Sequence, residues 1–180
     1  MNFLLELLTD SHTWWRIADP MWENPLDPRY AMHSGGRWNP PNSFPTLYLN
    51  EDQVTGRLNL RAFIAKWPYE PEDLRSDTGP VLIGVELPRQ QQVVDVHSRA
   101  GVHAVGLPLT YPLDRRRNRV PHARCQPIGV SAKTAGIRGI RARSAQSPDG
   151  AGRELAWFPA NERSVVRRTS TLAFEDWYWR

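Results

Sequence analysis

The segment His33-Ser-Gly-Gly-Arg-Trp-Asn-Pro-Pro41, followed closely by Thr46-Leu-Tyr-Leu49, is the part of the chain on which the interpretation of the fold depends. Its two glycines permit backbone angles that other residues avoid and its two prolines exclude a helix, so we predict a loop. The apolar run after it is typical of a short strand. A glycine-lined loop that carries an arginine favours a phosphate-bearing ligand, because the guanidinium makes paired hydrogen bonds and the glycines allow close approach.

Helical and extended patterns alternate on both sides of this segment. The predicted helices span residues 1–9, 51–66 and 129–136, and the predicted strands span residues 46–49, 80–87, 92–96, 139–144, 154–158 and 164–166. The proline-rich residues 107–126 are predicted to be flexible surface, and the aromatic end, residues 174–179, is predicted to pack on the body. Interspersed elements of both kinds predict an α+β fold in a single compact domain over residues 1–180.

The composition indicates a globular protein with a substantial core. Of 180 residues, 40% are hydrophobic and 10% aromatic, which argues against disorder. Cys125 is the single cysteine, so no internal disulfide and no cysteine-based metal site can form, as suits a reducing compartment. The short apolar run at the start is interrupted by Glu6 and lacks a basic leader, and no stretch approaches the ~20 apolar residues that span a bilayer. We therefore expect a cytoplasmic protein that does not enter a membrane.

Charge is distributed unevenly along the chain. Residues 1–112 carry 9 basic and 13 acidic side chains, whereas residues 113–180 carry 14 and 6. A basic second half is typical of a solvated face, and it could also attract phosphate groups, nucleic acid or an acidic partner. The run Arg115–Arg119 keeps a nucleic-acid binder as one alternative, although no recognised nucleic-acid motif is present and nucleic acid is not the expected partner.

Several common catalytic patterns are missing from the sequence. It contains no glycine-rich dinucleotide or P-loop signature, no HExxH zinc motif and no GxSxG elbow. The five histidines have no metal-ligand spacing, so we expect no metal ion. Cys125 lies near His122 in the sequence, but a single cysteine close to a histidine is weak support for a catalytic thiol.

Five residues from four separate segments could act on one ligand. Arg37 and Arg16 are suited to phosphate, Trp38 could cover a flat ring, and Tyr48 offers a hydroxyl and a stacking face. Ser144 offers a small hydroxyl within an arginine-rich strand. Each patch alone has a simple structural explanation as a turn, a packed aromatic or a solvated strand, so only the combination of these residues indicates a shared ligand site.

Taken together, these patches resemble the RES domain, a toxin family of bacterial toxin–antitoxin pairs. The matching segments, in the family's order over about residues 12–160, are Arg16-Ile17, Gly36-Arg37-Trp38-Asn39, Tyr48-Leu49, and Gly139-Ile-Arg-Ala-Arg-Ser-Ala145. The resemblance implies a fold like that of ADP-ribosyltransferases with NAD⁺ bound as the substrate. It further implies cleavage of NAD⁺ by hydrolysis, by phosphorolysis or by transfer of ADP-ribose, and a neighbouring helix-turn-helix antitoxin of the Xre type.

The resemblance also assigns roles to residues. Arg37 and Ser144 fill the arginine and serine positions from which the family takes its name, Tyr48 matches the family tyrosine, and Arg16 matches an arginine of the NAD⁺ pocket. The family glutamate, eleven residues beyond the tyrosine, is replaced here by Asn59. An asparagine can bind a ribose hydroxyl but adds no negative charge to the transition state. Two functions therefore remain open: an NAD⁺-cleaving enzyme, weakened at this position, and an inactive module that binds a dinucleotide or a protein partner.

Overall fold

The computed structural model describes residues 2–8, 12–68, 70–147, 150–161 and 163–180. Within these ranges the chain forms eight strands and five helices, together with one 3₁₀ turn at Pro71–Asp73. The strands are β1 (Leu5–Leu7), β2 (Trp14–Ala18), β3 (Leu47–Asn50), β4 (Val81–Glu86), β5 (Gln92–Val96), β6 (Gly139–Arg143), β7 (Arg153–Trp157) and β8 (Arg167–Leu172). The helices are α1 (Tyr30–Ser34), α2 (Gln53–Ile64), α3 (Arg99–Ala104), α4 (His122–Thr134) and α5 (Phe174–Tyr178).

The eight strands form one mixed sheet in the order β1-β5-β6-β7-β3-β2-β4-β8. Neighbouring strands are antiparallel except β5 and β6, which are parallel. A parallel pair needs a long crossover connection, and α3 and α4 lie in that connection. The predicted α+β class in a single domain is therefore confirmed.

Side-chain alternation along the strands separates two faces of the sheet. One face of β5, β6 and β7 packs against α4 in a cluster that contains Val94, Ile140 and Ala156. The opposite face carries a second cluster with Leu47 and Leu155. A third cluster joins α2, α5 and β4 at the other end of the sheet. Tyr48 packs on the first cluster, so helices cover the face of the sheet that carries its ring.

Most of the predicted interior elements are present with ends shifted by one or two residues. The strands predicted at 46–49, 80–87, 92–96, 139–144 and 154–158 correspond to β3, β4, β5, β6 and β7. The helix predicted at 51–66 is α2, which begins after Asp52, whose side chain accepts from the Thr55 N–H at 2.6 Å. That hydrogen bond satisfies one of the free donors of the first turn and fixes where the helix starts.

Two terminal predictions were wrong. Residues 5–7 of the predicted first helix form β1, in which Leu5 lies opposite Val94 and Leu7 opposite Gln92; residues 1 and 9 lie outside the described part of the chain. Backbone pairing with the edge of the sheet overrides a weak helical pattern. Residues 164–166 are not a strand, because the pairing with β4 begins only at Arg167. β8 is a polar edge strand without an apolar alternation that would reveal it.

The proline-rich segment is more ordered than predicted. Leu107, Tyr111 and Val120 are buried in the cluster that covers β6, so this stretch is anchored to the core. The short helix predicted at 129–136 is the second half of α4, which already begins at His122 and contains Pro127 in its interior. The proline removes one hydrogen bond without ending the helix.

Candidate functional site

The glycine-rich loop is attached to β3 through the Tyr48 hydroxyl. This hydroxyl donates to Asn39 Oδ1 at 2.7 Å and accepts from the Trp38 backbone N–H at 2.9 Å. Asn39 is fully buried, and its amide nitrogen in turn donates to the Ala31 carbonyl at 2.7 Å. Burial raises the pKa of Tyr48 well above its ordinary value, so the phenol remains a neutral donor.

Two glycines allow this loop to lie where it does. A Cβ on Gly36 would lie 2.3 Å from the Tyr48 hydroxyl, and a Cβ on Gly129 of α4 would lie 1.7 Å from the Trp38 carbonyl oxygen. Neither distance is compatible with a side chain. The loop is therefore held between the tyrosine ring and the backbone of α4 by close approaches that only glycine permits.

Arg37 points from the loop toward the start of α4. Its Nη1 donates to the Val120 carbonyl at 2.8 Å. Burial raises the pKa of Cys125, which Arg37 partly offsets, and burial followed by the charge of Arg37 lowers the pKa of His122. A buried thiol with a raised pKa is not a nucleophile near neutral pH, so the catalytic-thiol alternative is not supported.

Asn59 and Ser144 are in direct contact although they are far apart in sequence. Ser144 Oγ donates to Asn59 Oδ1 at 3.2 Å and accepts from the Gln146 backbone N–H at the same distance. Asn59 Nδ2 donates to Asn50 Oδ1 at 2.6 Å and to Glu154 Oε1 at 2.9 Å. The α2 helix, β3, β7 and the residue that follows β6 therefore each contribute one polar side chain to a single network.

Sequence reasoning did not single out Glu154 as a member of this network. It lies opposite Asn50 on β3 and opposite Ala142 on β6, and its neighbour on the same face of β7, Ala156, lies opposite Tyr48. The alternation in Glu154-Leu-Ala-Trp-Phe158 predicts that Glu154 shares a face with Ala156. Only the register of the three strands shows that this face also carries Tyr48 and Asn50.

Arg16 reaches the site from the other side of the sheet. It lies opposite Ile83, and its neighbours Trp14 and Ala18 pack in the second cluster. β2 and β3 are paired at Trp15 and Asn50. Next to this pair, Arg16 Nη1 of β2 donates to the Tyr48 carbonyl of β3 at 3.0 Å. Burial lowers the pKa of Arg16 to about 10, which still leaves it charged at neutral pH.

Both arginines lack an acidic partner among the residues that the structure describes. The guanidinium of Arg16 lies 5.7 Å from the ring centroid of Trp22, and its buried Nε has no hydrogen-bond partner. Arg37 is bound to a carbonyl and not to a carboxylate. Cations that are partly buried without a counter-ion favour an anionic ligand.

Trp38 lies in the core. Its side chain is 2% exposed and packs in the first cluster, with its ring centroid 6.1 Å from that of Tyr111. The indole face is therefore covered by protein, and the contact of Trp38 with the site is through its backbone N–H.

The structure brings Tyr48 close to Arg37 and places Asn59 in contact with Ser144, while Arg16 approaches from the opposite face. A cavity of about 690 Å³ lies elsewhere, between the residues 106–116 and Arg124 on α4. In the described ranges no cluster of three or more histidine, cysteine or acidic side chains could hold a metal ion. None of the described helices is long and apolar enough to cross a membrane.

Comparison with known proteins identifies a family and solved structures that share the fold. The solved structure of the M. tuberculosis MbcT–MbcA toxin–antitoxin complex contains a chain that superposes with a TM-score of 0.73 at 19% identity, covering 97% of this chain and 92% of that one. None of the curated proteins compared with the chain matches it significantly. The profile of the RES domain matches residues 13–177, which includes α2, the glycine-rich loop and most of α5. The resemblance seen in the sequence is thereby confirmed, and the chain belongs to the RES domain family.

Proposed function

We propose that this RES domain protein binds NAD⁺ and cleaves it between nicotinamide and ribose. The observation that carries the proposal is the pair of partly buried guanidinium groups, Arg16 and Arg37, that lack an acidic partner among the described residues and flank Tyr48. A guanidinium group binds phosphate oxygens through paired, charge-assisted hydrogen bonds, so each of these arginines is suited to a phosphate of the dinucleotide. Two residues beyond Tyr48 on the same strand, Asn50 accepts a hydrogen bond from Asn59 and so belongs to the polar network that includes Ser144.

The proposed reaction requires the protein to bind NAD⁺ and to stabilise the positive charge that develops on the ribose. The bond between the nicotinamide nitrogen and ribose C1 breaks with its electron pair passing to the nicotinamide ring, which becomes neutral. The ribosyl carbon becomes cationic and accepts a nucleophile: water, which then releases a proton to solvent, phosphate, or a protein side chain. Product analysis distinguishes these acceptors. Negative charge near the ribosyl carbon accelerates the step.

The first prediction concerns Arg37. Arg37→Ala removes a phosphate contact and is expected to lower the kcat/KM for NAD⁺ cleavage by roughly 10²-fold, since charge-assisted hydrogen bonds to an anion are strong. The purified protein is incubated with NAD⁺ and free nicotinamide is followed by chromatography. Arg115→Ala, on an exposed loop, is the matched control and should retain activity. Equal rates for the wild type and Arg37→Ala would contradict the proposal.

A binding module without catalysis is the second candidate, and the network itself favours it. Asn59, Ser144 and the Tyr48 hydroxyl are all bound to protein groups, as expected of a site that has become structural. This candidate predicts that NAD⁺ binds without release of nicotinamide and that Asn59→Glu alone creates turnover. Calorimetric titration with NAD⁺, combined with the nicotinamide assay, separates the two functions.

We further propose an antitoxin as the protein partner of this chain, which would act in the cytoplasm. A solved structure that shares the fold is a toxin–antitoxin complex, and the net charge of residues 113–180 is strongly positive. An acidic face on the partner would be steered toward such a surface. Expression alone should arrest growth and deplete cellular NAD⁺, and co-expression of the neighbouring open reading frame should restore growth.

Oligonucleotide binding tests the remaining alternative. If Arg115–Arg119 bound nucleic acid, affinity would fall steeply with salt concentration and would not depend on Arg37. We expect no such binding at physiological salt.

A further inference from the structure

We propose that Glu154 supplies the carboxylate of the site, in place of the acidic residue that the family carries on α2 and that is Asn59 in this chain. The inference rests on the proposed NAD⁺-cleaving function and names the group that stabilises the ribosyl cation. Glu154 Oε1 lies 2.9 Å from Asn59 Nδ2, so side chains at positions 59 and 154 end in the same small space. A carboxylate carried by β7 thus reaches the place that a carboxylate carried by α2 would occupy.

Asn59 itself has no donor left for a substrate. An asparagine amide has two N–H donors, and those of Asn59 are taken by Asn50 Oδ1 and Glu154 Oε1. Its carbonyl oxygen accepts from Ser144. The amide therefore orients the carboxylate and ties α2 to the sheet, which makes Asn59 a positioning residue.

Glu154 has no basic side chain as an ion-pair partner. It is half-buried, and among the described residues no lysine, arginine or histidine forms an ion pair with it. Burial raises the pKa of Tyr48 and of Tyr111. The negative charge of Glu154 adds a smaller increase to both. A carboxylate left without a cation in such a place is available to a cationic transition state.

The other carboxylate near the end of β3 does not meet this condition. Glu51 is bound by Arg141 through Nη2 at 2.5 Å and Nε at 3.0 Å, and Arg141 also contacts Glu6 at 3.1 Å. Arg141 alternates with Ala142 on β6 and therefore points to the face opposite Glu154. Glu51 is committed to a structural ion pair on that side.

In the reaction, the Glu154 carboxylate forms no covalent bond and is not consumed. The electron pair of the broken bond leaves with nicotinamide, the ribosyl carbon carries the positive charge, and water adds to it and loses a proton to solvent. Glu154 lowers the energy of the cationic stage and has little effect on the binding of the intact dinucleotide. Its removal should consequently lower kcat and leave KM within a few-fold.

The test exchanges charge between the two positions. Glu154→Gln keeps the shape and removes the charge, and kcat is expected to fall by roughly 10²–10³-fold. The exchange variant Asn59→Glu/Glu154→Gln returns the charge to α2 and is expected to recover at least about tenfold of that loss. Asn59→Glu alone places two carboxylates in contact and is expected not to exceed the wild type. Glu86→Gln, on β4 and paired with Arg167, is the matched control and should not change kcat.

Each result has a distinct meaning. Nicotinamide release by the wild type that Glu154→Gln leaves unchanged overturns this inference and leaves the proposed function standing. No release by the wild type overturns both. A gain from Asn59→Glu alone shows that Glu154 does not fill the role and overturns the inference. Circular dichroism and thermal unfolding check folding. If the glutamine variant does not fold, Glu154→Ala, which also removes the charge, takes its place, and an unchanged kcat there is equally decisive.

Discussion

Gly36 shows how a single missing side chain positions the candidate site. The loop backbone lies against the Tyr48 ring at a distance at which a Cβ would be 2.3 Å from the hydroxyl and 2.6 Å from the ring carbons. The hydroxyl is held at the same time by Asn39 and by the Trp38 backbone. Because all of these groups are packed, a side chain at position 36 would have to displace the loop and with it Arg37.

Gly36→Ala is therefore expected to destabilise the protein and to impair the site. Overpacking of this kind typically costs about 1–3 kcal/mol in the free energy of unfolding, measured by urea denaturation. Gly56→Ala is the control: it lies within α2, its Cβ would have ordinary contacts from 3.5 Å, and alanine should stabilise the helix by roughly 0.5–1 kcal/mol. Equal urea midpoints for Gly36→Ala and the wild type would refute this account of the loop.

At this scale, residue types were easier to predict from the sequence than their partners. The Gly-Gly-Arg-Trp-Asn segment and the tyrosine strand identified Arg37 and Tyr48. The resemblance identified Asn59 and Ser144 as site residues, and the structure shows that these two side chains are in contact. Glu154 was not identified, because a charged residue in a strand is usually solvated and only the register across three strands shows otherwise.

The α4 helix fixes the loop from the opposite side at the scale of elements. Gly129 allows its backbone to approach the Trp38 carbonyl, and Gln126 Nε2 donates to the Gly36 carbonyl at 3.0 Å. The sequence predicted only the second half of this helix, since Pro127 is normally read as a helix breaker. Tertiary packing on the loop explains why the helix extends through it.

Gly129→Ala is predicted to separate α4 from the loop. The added Cβ would lie 1.7 Å from the Trp38 carbonyl oxygen, so the helix must shift, with an expected loss of about 3 kcal/mol in the free energy of unfolding. Val130→Ala, at the neighbouring exposed position on the same helix, should cost less than about 1 kcal/mol. Thermal unfolding of both variants decides, and a larger loss for Val130→Ala would contradict the packing described.

The turn between β5 and α3 should give stability a dependence on pH. Asp95 Oδ1 accepts from the backbone N–H groups of His97 and Ser98, each at 2.8 Å, and Ser98 Oγ also donates to Asp95. Burial acts to raise the pKa of Asp95, but these hydrogen bonds outweigh it, and the pKa lies below its ordinary value. The ionised form is therefore favoured by folding.

Because folding lowers the pKa of Asp95, the ionised carboxylate stabilises the folded protein. This stabilisation is fully present above the unfolded pKa of about 4 and is lost as the pH falls through the folded pKa. Asp95→Asn should abolish this part of the pH dependence. Urea denaturation of both proteins between about pH 3 and pH 7 should show the wild type losing its advantage at the acidic end. Curves that remain parallel over the whole range would show that Asp95 does not contribute.

At the scale of the whole molecule, the C-terminal helix connects the far end of the sheet to the helix that carries Asn59. Phe174 and Trp177 of α5 are fully buried and pack with Leu60 and Ile64 of α2 in the third cluster. Trp177 Nε1 donates to the Pro80 carbonyl at 3.1 Å. The sequence predicted that this aromatic end packs on the body, but not that it supports α2, since the contact is non-local and leaves no local pattern.

Trp177→Ala should therefore affect both stability and the site, although Trp177 is remote from the predicted NAD⁺ contacts. Removal of a buried tryptophan typically costs about 3–5 kcal/mol, and part of the space is vacated directly beneath α2. Arg57 Nη2 on α2 also donates to the Trp177 carbonyl at 2.9 Å, so a shift of α5 is transmitted to the helix and from there to Asn59 and Glu154.

Trp179→Ala, two residues away and 49% exposed, is the control and should have a small effect. Calorimetric melting combined with nicotinamide release measures both consequences. Loss of stability with kcat unchanged in the folded fraction would show that α5 stabilises the fold without positioning the network.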